Sequence, residues 1–205
     1  MDHIMINCAE YWPNPGDYDT ITNTYTGGIV NIYSYAADTP GHAGPGIRMR
    51  QNVNGVWAFD WFYRFDHARG VLEYEDDYPK PWWLLWGNVK AQPMIPSREI
   101  VWGGVQNLGD IVQGGCAWSF LGTTTWGWQR VQIVQIIPSY TDAGGKVHTN
   151  VLQIEYWQQW GGGPIAGAVM YLAKNIGQVY TAWTSGAAAT GYSMSLISHV
   201  PTLIS

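Results

Sequence analysis

The chain has 205 residues, enough for one sizeable domain with a core that needs no metal or disulfide staple. Charged residues make up 12% of it and aromatic residues 15%, and the net charge is −5. Ten Lys and Arg are spread thinly, so there is no basic stripe for phosphates, and nucleic acid and anionic membranes are excluded as expected partners. No apolar run reaches the roughly 18 residues of a transmembrane helix, so no transmembrane segment is expected.

The chain opens MDHIMINCAEYW, which has neither the basic nor the apolar part of a signal peptide, so none is visible. Cys8 recurs as a residue type only at Cys116, and the two are consistent with one bridge or with two buried thiols. Asp17 and Asp19 in NPGDYDT form a first pair of turn carboxylates. Strand signals then dominate. GIVNIYSYAAD at 28–38 is a β-branched and aromatic run, and Asn54-Gly55 predicts a tight reversal within a hairpin at 51–65. In WAFDWFYRF, alternation puts Trp57, Phe59, Trp61, Tyr63 and Phe65 on one face, as a core strand would. Asp66-His67 reads as a loop.

VLEYEDDYP follows. Glu73 and Glu75 share a strand face, and Asp76 and Asp77 are expected to enter a turn before Tyr78-Pro79-Lys80-Pro81, with a hairpin over 71–90. Hard cations want six to eight oxygens, so Asp76 and Asp77 are candidate calcium ligands only with help from elsewhere. Calcium is the one cofactor the sequence offers a place for. Trp82, Trp83 and Trp86 come next, and adjacent Trp82 and Trp83 must face opposite sides if the backbone is extended.

The clearest hairpin runs from Arg130 to Gln159, with TDAGGK as its turn and Gly144 and Gly145 expected to supply positive φ. Its return strand carries Glu155, Tyr156, Trp157 and Trp160. At 164–183 apolar residues recur at helical spacing, but Gly167, Gly177 and GQVYTAW favour another hairpin around Lys174-Asn175-Ile176-Gly177. His3, His42, His67, His148 and His199 are dispersed, with no metal-ligand spacing, and no G-x-S-x-G elbow marks a nucleophile.

These elements predict an all-β fold, an antiparallel, jelly-roll-like β-sandwich, with a β-barrel as the alternative. One domain spans 1–205. A faint repeat sets 28–38 against 132–142, 57–62 against 152–157, Asp60 against Glu155 and Cys8 against Cys116, which suggests two similar halves at about 1–107 and 108–205.

Thirteen Trp exceed what one core of this size takes, and each buried indole N–H needs an acceptor. Several are expected to meet a ligand. Trp82, Trp83, Trp86, Tyr156, Trp157 and Trp160 are the candidate binding residues, because indole faces stack on the C–H faces of sugars while neighbouring amides take the hydroxyls. The leading expectation is a non-catalytic, glycan-binding or adhesive protein. Trp and Tyr also anchor subunit interfaces, so a self-assembling virion, filament or surface-layer subunit is the alternative, with copies of the chain as partners in a homo-oligomer. A third reading is a glycoside hydrolase that uses Glu73 or Glu75 with Glu155. Low charge, with solubility resting on Thr, Ser, Asn and Gln, points to an extracellular, cell-surface or particle-associated protein.

Overall fold

The structure, a computed structural model, describes residues 4–23, 28–38, 45–66, 70–78, 89–90, 98–102, 105–120, 123–186 and 193–201. Side chains are described mainly in 4–34, 50–56, 106–113, 125–186 and 193–201. Fifteen strands and one 3-10 turn are present among these residues, with no α-helix. The first part of the chain holds β1 (Met5–Asn7), the turn η1 (Cys8–Tyr11), β2 (Tyr18–Asn23), β3 (Gly28–Asp38), β4 (Pro45–Val53), β5 (Val56–Asp66), β6 (Gly70–Tyr78) and β7 (Val89–Lys90). Then come β8 (Arg98–Trp102), β9 (Val105–Asn107), β10 (Ile111–Phe120), β11 (Thr123–Thr141) and β12 (Val147–Trp160). The last three are β13 (Ala166–Ala173), β14 (Gly177–Ser185) and β15 (Ser193–Val200).

All pairings are antiparallel. β1 and β9 form a two-stranded sheet, and the long sheet runs β10-β11-β12-β13-β14-β15-β2-β3-β4-β5-β6-β7, with β8 also paired to β6. Consecutive strands are joined mostly as hairpins, so the order is a meander, simpler than a jelly roll. Along the path from β10 to β7 the exception is β15–β2, where Leu196 sits opposite Ile21 and His199 opposite Asp19. No hydrogen-bonded pairing among the described residues closes the sheet into a barrel. β8 lies beside β10 as well as β6, which brings the two ends of the order together and gives two facing layers.

Local chemistry accounts for the reversals. Asn54 (φ 51°) and Gly55 (φ 80°) make the predicted β4–β5 turn, as an Asn-Gly pair does when both central residues need positive φ. Residues 164–183 form the β13–β14 hairpin, not a helix, and its turn uses Asn175 (φ 57°) and Gly177 (φ 88°). In the β11–β12 turn only Gly145 has positive φ (87°). Gly144 is there for a different reason: a Cβ at that position would land on the Ile197 carbonyl oxygen of β15.

Alternation then sorts the side chains. Val131, Ile133, Leu152, Ile154, Tyr156, Ala168 and Leu172 face inward and pack with Ile6, Cys8 and Tyr11, so β1 and η1 fill the space between the layers. A second cluster joins Val151, Ala173, Ile176 and Val179 to Ile21, Val30, Ile32 and Leu196. The hairpin tip reaches that second cluster because β11 has a bulge between Ile133 and Gln135, and Asn150 (φ 53°) bends β12. Gly144 N–H then donates to the Leu196 carbonyl at 3.3 Å.

The repeat fails in this arrangement. β11 and β12, which carry 132–142 and 152–157, are hydrogen-bonded neighbours, whereas β3 and β5, which carry 28–38 and 57–62, are separated by β4. Cys8 lies in η1 and Cys116 in the middle of β10. Similar β-rich composition produced the echoes.

Candidate functional site

The outward face of β10–β13 holds the most distinctive chemistry among the described side chains. β11 begins TTTWGWQRVQ, and alternation sends Trp126, Trp128, Arg130 and Gln132 outward while Gln129 and Val131 go in. Register then builds rungs across the strands. Trp126 lies opposite Ala117, and Trp128 opposite Gly115 on one side and Gln159 on the other. Arg130 lies between Gln113 and Trp157, with Gly167 beyond Trp157. Gln132 lies beside Glu155, with Val169 next. Residues two apart on a strand are about 7 Å apart, so Trp126, Trp128 and Arg130 form a line of outward groups.

Two of these side chains are held in place. Trp128 donates its Nε1–H to Gln159 Oε1 at 2.9 Å, and Gln159 in turn donates from Nε2 to the Gly163 carbonyl at 2.7 Å. Arg130 stacks on Trp157, with its guanidinium carbon 4.9 Å from the ring centroid. Gly167 makes room for that ring: a Cβ there would stand 3.3 Å from Trp157 Cδ1. Trp126 is the most open, at 66% exposure, and Ile111, opposite Gln132 at the other end of the line, is 51% exposed. Gln159 is the amide beside Trp128, and Gln113 lies opposite Arg130, while Gln132, bonded to the Gly109 carbonyl at 3.2 Å, and Gln135, bonded to Gln153 at 2.7 Å, lie farther along the strands.

The sequence candidates divide across this sheet. Trp157 is on the outward face, half-buried between Arg130 and Gly167. Tyr156 is a correction: it is buried in the core, its ring meets Trp183 edge-on at 6.2 Å, and its hydroxyl donates to Gln158 at 2.8 Å. A phenol so placed has its hydrogen bond satisfied inside and offers a surface ligand nothing. Trp160 is half-buried on the Tyr156 side of β12, where its Nε1–H also donates to Gln158 Oε1, at 3.1 Å, and its ring lies against Gly127. Trp82, Trp83 and Trp86 lie outside the described residues.

The carboxylate candidates are not brought together as a pair by the strand order. Glu155 sits in mid-strand opposite Gln132 and Val169. Glu73 and Glu75 lie on β6, which is not a neighbour of β12. Asp76 and Asp77 are also corrected: they continue β6, opposite Trp61 and Asp60, instead of entering a turn. The side chains of these four β6 residues are outside those described. Asp17 and Asp19 are both buried and already engaged. Asp17 accepts the Asn14 N–H at 2.7 Å, and Asp19 pairs with His199 Nδ1 at 2.7 Å. Burial pushes the Asp19 carboxyl above the usual range, with the His199 hydrogen bond and charge pulling the other way and Asp17 adding to the rise. Asp142 and His148 make a similar buried pair at 2.8 Å, and Asp142 also accepts the Lys146 N–H at 2.9 Å, which ties off the β11–β12 turn. No cluster of three or more metal-ligating groups occurs among the described residues. Cys8 is a free, buried thiol whose S–H points at the Ile6 carbonyl, and burial pushes its pKa up to about 12.

Trp126, Trp128 and Arg130 are not among the residues that the sequence singled out for binding. The signal was the spacing W-x-W-x-R, three outward positions in succession on one strand.

No protein-family model matches the chain, and no curated protein does. Two solved structures are similar in backbone. One is a protein of Parabacteroides distasonis assigned as a lipoprotein, with a TM-score of 0.49 and 7% identity, covering 93% of this chain and 98% of that one. The other is a protein of Bacteroides fragilis assigned as exported, with a YmcC-like fold, a TM-score of 0.44 and 10% identity, at the same coverage.

Proposed function

We propose that the chain is a non-catalytic glycan-binding protein that uses the outward face of β11 and β12. One observation carries this reading: Trp126 and Trp128 stand outward in succession on one strand, with Trp128 fixed by the Gln159 amide. Indole faces supply apolar contact for the C–H side of a pyranose, and glutamine amides both donate to and accept from its hydroxyls. Fixing Trp128 before binding lowers the entropy lost when a sugar docks. A flat sheet face suits a chain of sugars better than a single one. The low charge and Gln-, Thr- and Ser-rich surface fit an extracellular or surface setting.

The test is a titration of oligosaccharides followed by tryptophan fluorescence, with Trp126→Ala and Trp128→Ala as variants. Saccharide-dependent change in emission, lost in both variants, supports the reading. No response to any saccharide refutes it. If the same substitutions then shift the protein to smaller species in sedimentation, the face joins copies of the chain instead.

A further inference from the structure

After residue 100 the chain carries six charged side chains, and three of them are engaged. Asp110 accepts the Asn107 N–H at 2.8 Å, Asp142 holds His148, and Lys174 pairs with Glu10 at 2.6 Å. Arg130 differs. Its guanidinium is held by the Trp157 ring, no carboxylate among the described residues pairs with it, and its Nε is buried with no hydrogen-bond partner. Removing a guanidinium N–H from water without an acceptor is costly. The two Nη nitrogens, which unlike Nε are not buried, can meet a ligand that brings an acceptor. Stacking on an indole leaves the planar fork free to meet a carboxylate with two parallel N–H···O bonds.

The surroundings fix the direction of approach. Glu155 stands one rung away on the Gln132 side and would repel an anion. Trp128 stands one rung away on the other side, with its ring anchored through Gln159. An anion therefore reaches Arg130 from the Trp128 side, where an indole face waits for the ring that bears it. The whole protein carries −5, so attraction of an acidic polymer is local to this point and gets no help from the overall field.

We infer that the site takes an acidic saccharide, a uronate whose carboxylate pairs with Arg130 while its ring rests on Trp128. This rests on the glycan reading and names the class of sugar. In it Trp157 is a positioning residue that holds the guanidinium in place, and Trp128 and Arg130 make the contacts.

Oligogalacturonate and its methyl ester test this directly, since the two differ only in the charge and acceptor strength of the group placed at Arg130. Calorimetric titration of the unaltered protein is expected to show the acid binding at least about tenfold more tightly than the ester, as one charged hydrogen-bonded contact gives. That advantage should shrink as salt is raised from 50 to about 500 mM. Arg130→Gln should remove the acid's advantage over the ester, with Arg130→Lys in between because an ammonium cannot stack or fork. Equal binding of acid and ester overturns the inference while leaving glycan binding intact. Binding of a sulfated oligosaccharide in preference to the uronate overturns the carboxylate assignment. Failure of acid, ester and neutral oligosaccharides alike defeats the glycan reading itself. The acid–ester comparison needs no variant, so the result stands even if Arg130→Gln perturbs folding.

Discussion

Ile154→Ala tests which face of the sheet is the inside. Ile154 is fully buried on β12, opposite Ile133 on β11 and Met170 on β13. The substitution removes three carbons, worth about 2.4 kcal/mol at about 0.8 kcal/mol per buried methylene. Its neighbours are anchored in paired strands and cannot collapse fully into the gap, so a cavity cost brings the expected loss to about 3–4 kcal/mol. For 205 residues the unfolding entropy near the melting point is about 0.43 kcal/mol/K, so the melting temperature should fall by about 8 °C. Val169→Ala is the matched control. Val169 lies on the adjacent strand opposite Glu155, half-buried on the outward face, and its loss should cost about 1 kcal/mol or less. Thermal melts by circular dichroism, with urea titrations to check that the slope is unchanged, measure both. Equal losses for the two variants, or a smaller loss for Ile154→Ala, would refute the assignment of inward and outward faces on which the candidate site depends.

Two further outcomes follow from buried groups. Cys8, 1% exposed with its thiol pKa near 12, should stay unlabelled by iodoacetamide at pH 8 in the folded protein and react once it is unfolded in urea, as read by peptide mass mapping. Rapid labelling of Cys8 in the native state would contradict its burial. Asp19 has its folded pKa above the ordinary value of 3.8, so in the window just above that value the folded chain keeps a proton that the unfolded chain releases. Its contribution to stability is therefore full below the ordinary value and is lost as pH rises through the raised one. The stability of the protein relative to Asp19→Asn, read from urea midpoints, should decline as pH is raised from about 3.5 to 5.5, and a difference that is constant or grows would refute the shift.

Much of the fold was legible because hairpin chemistry is local. Asn54-Gly55 and Asn175-x-Gly177 announce their turns, and alternation along β12 names Leu152, Ile154 and Tyr156 as one face. Which face was inside was not legible at Tyr156 and Trp157. Adjacent aromatics look equivalent in sequence, and only the packing of β1 and η1 on one side decides that Tyr156 is buried. Gly144 was read as a source of positive φ because Gly-Gly in a turn usually is, whereas its constraint is the Ile197 carbonyl from a strand more than 50 residues away. Glu155 drew attention as a carboxylate among aromatics. Its proposed partners lie on β6, which is not hydrogen-bonded to β12 and whose side chains lie outside those described. Arg130 went unnoticed because its interest lies in what it lacks, and a missing counter-charge is visible only in three dimensions.

The seam between β2 and β15 has a consequence for how the chain reaches this state. Thr22 donates to the Ser195 carbonyl, and Tyr18 lies opposite Val200, so this pairing joins residues separated by most of the polypeptide. A growing chain cannot form it until everything from β2 through β15 has emerged. Until then the free edge of β2 and its neighbour β3, rich in Ile, Val and Tyr, have no partner on that side. Contacts of such long sequence separation form slowly, because the entropy of closing so large a loop is spent before any contact rewards it. This seam should therefore form late in folding, with β2 as the edge that a chaperone, or another unfolded copy, meets first.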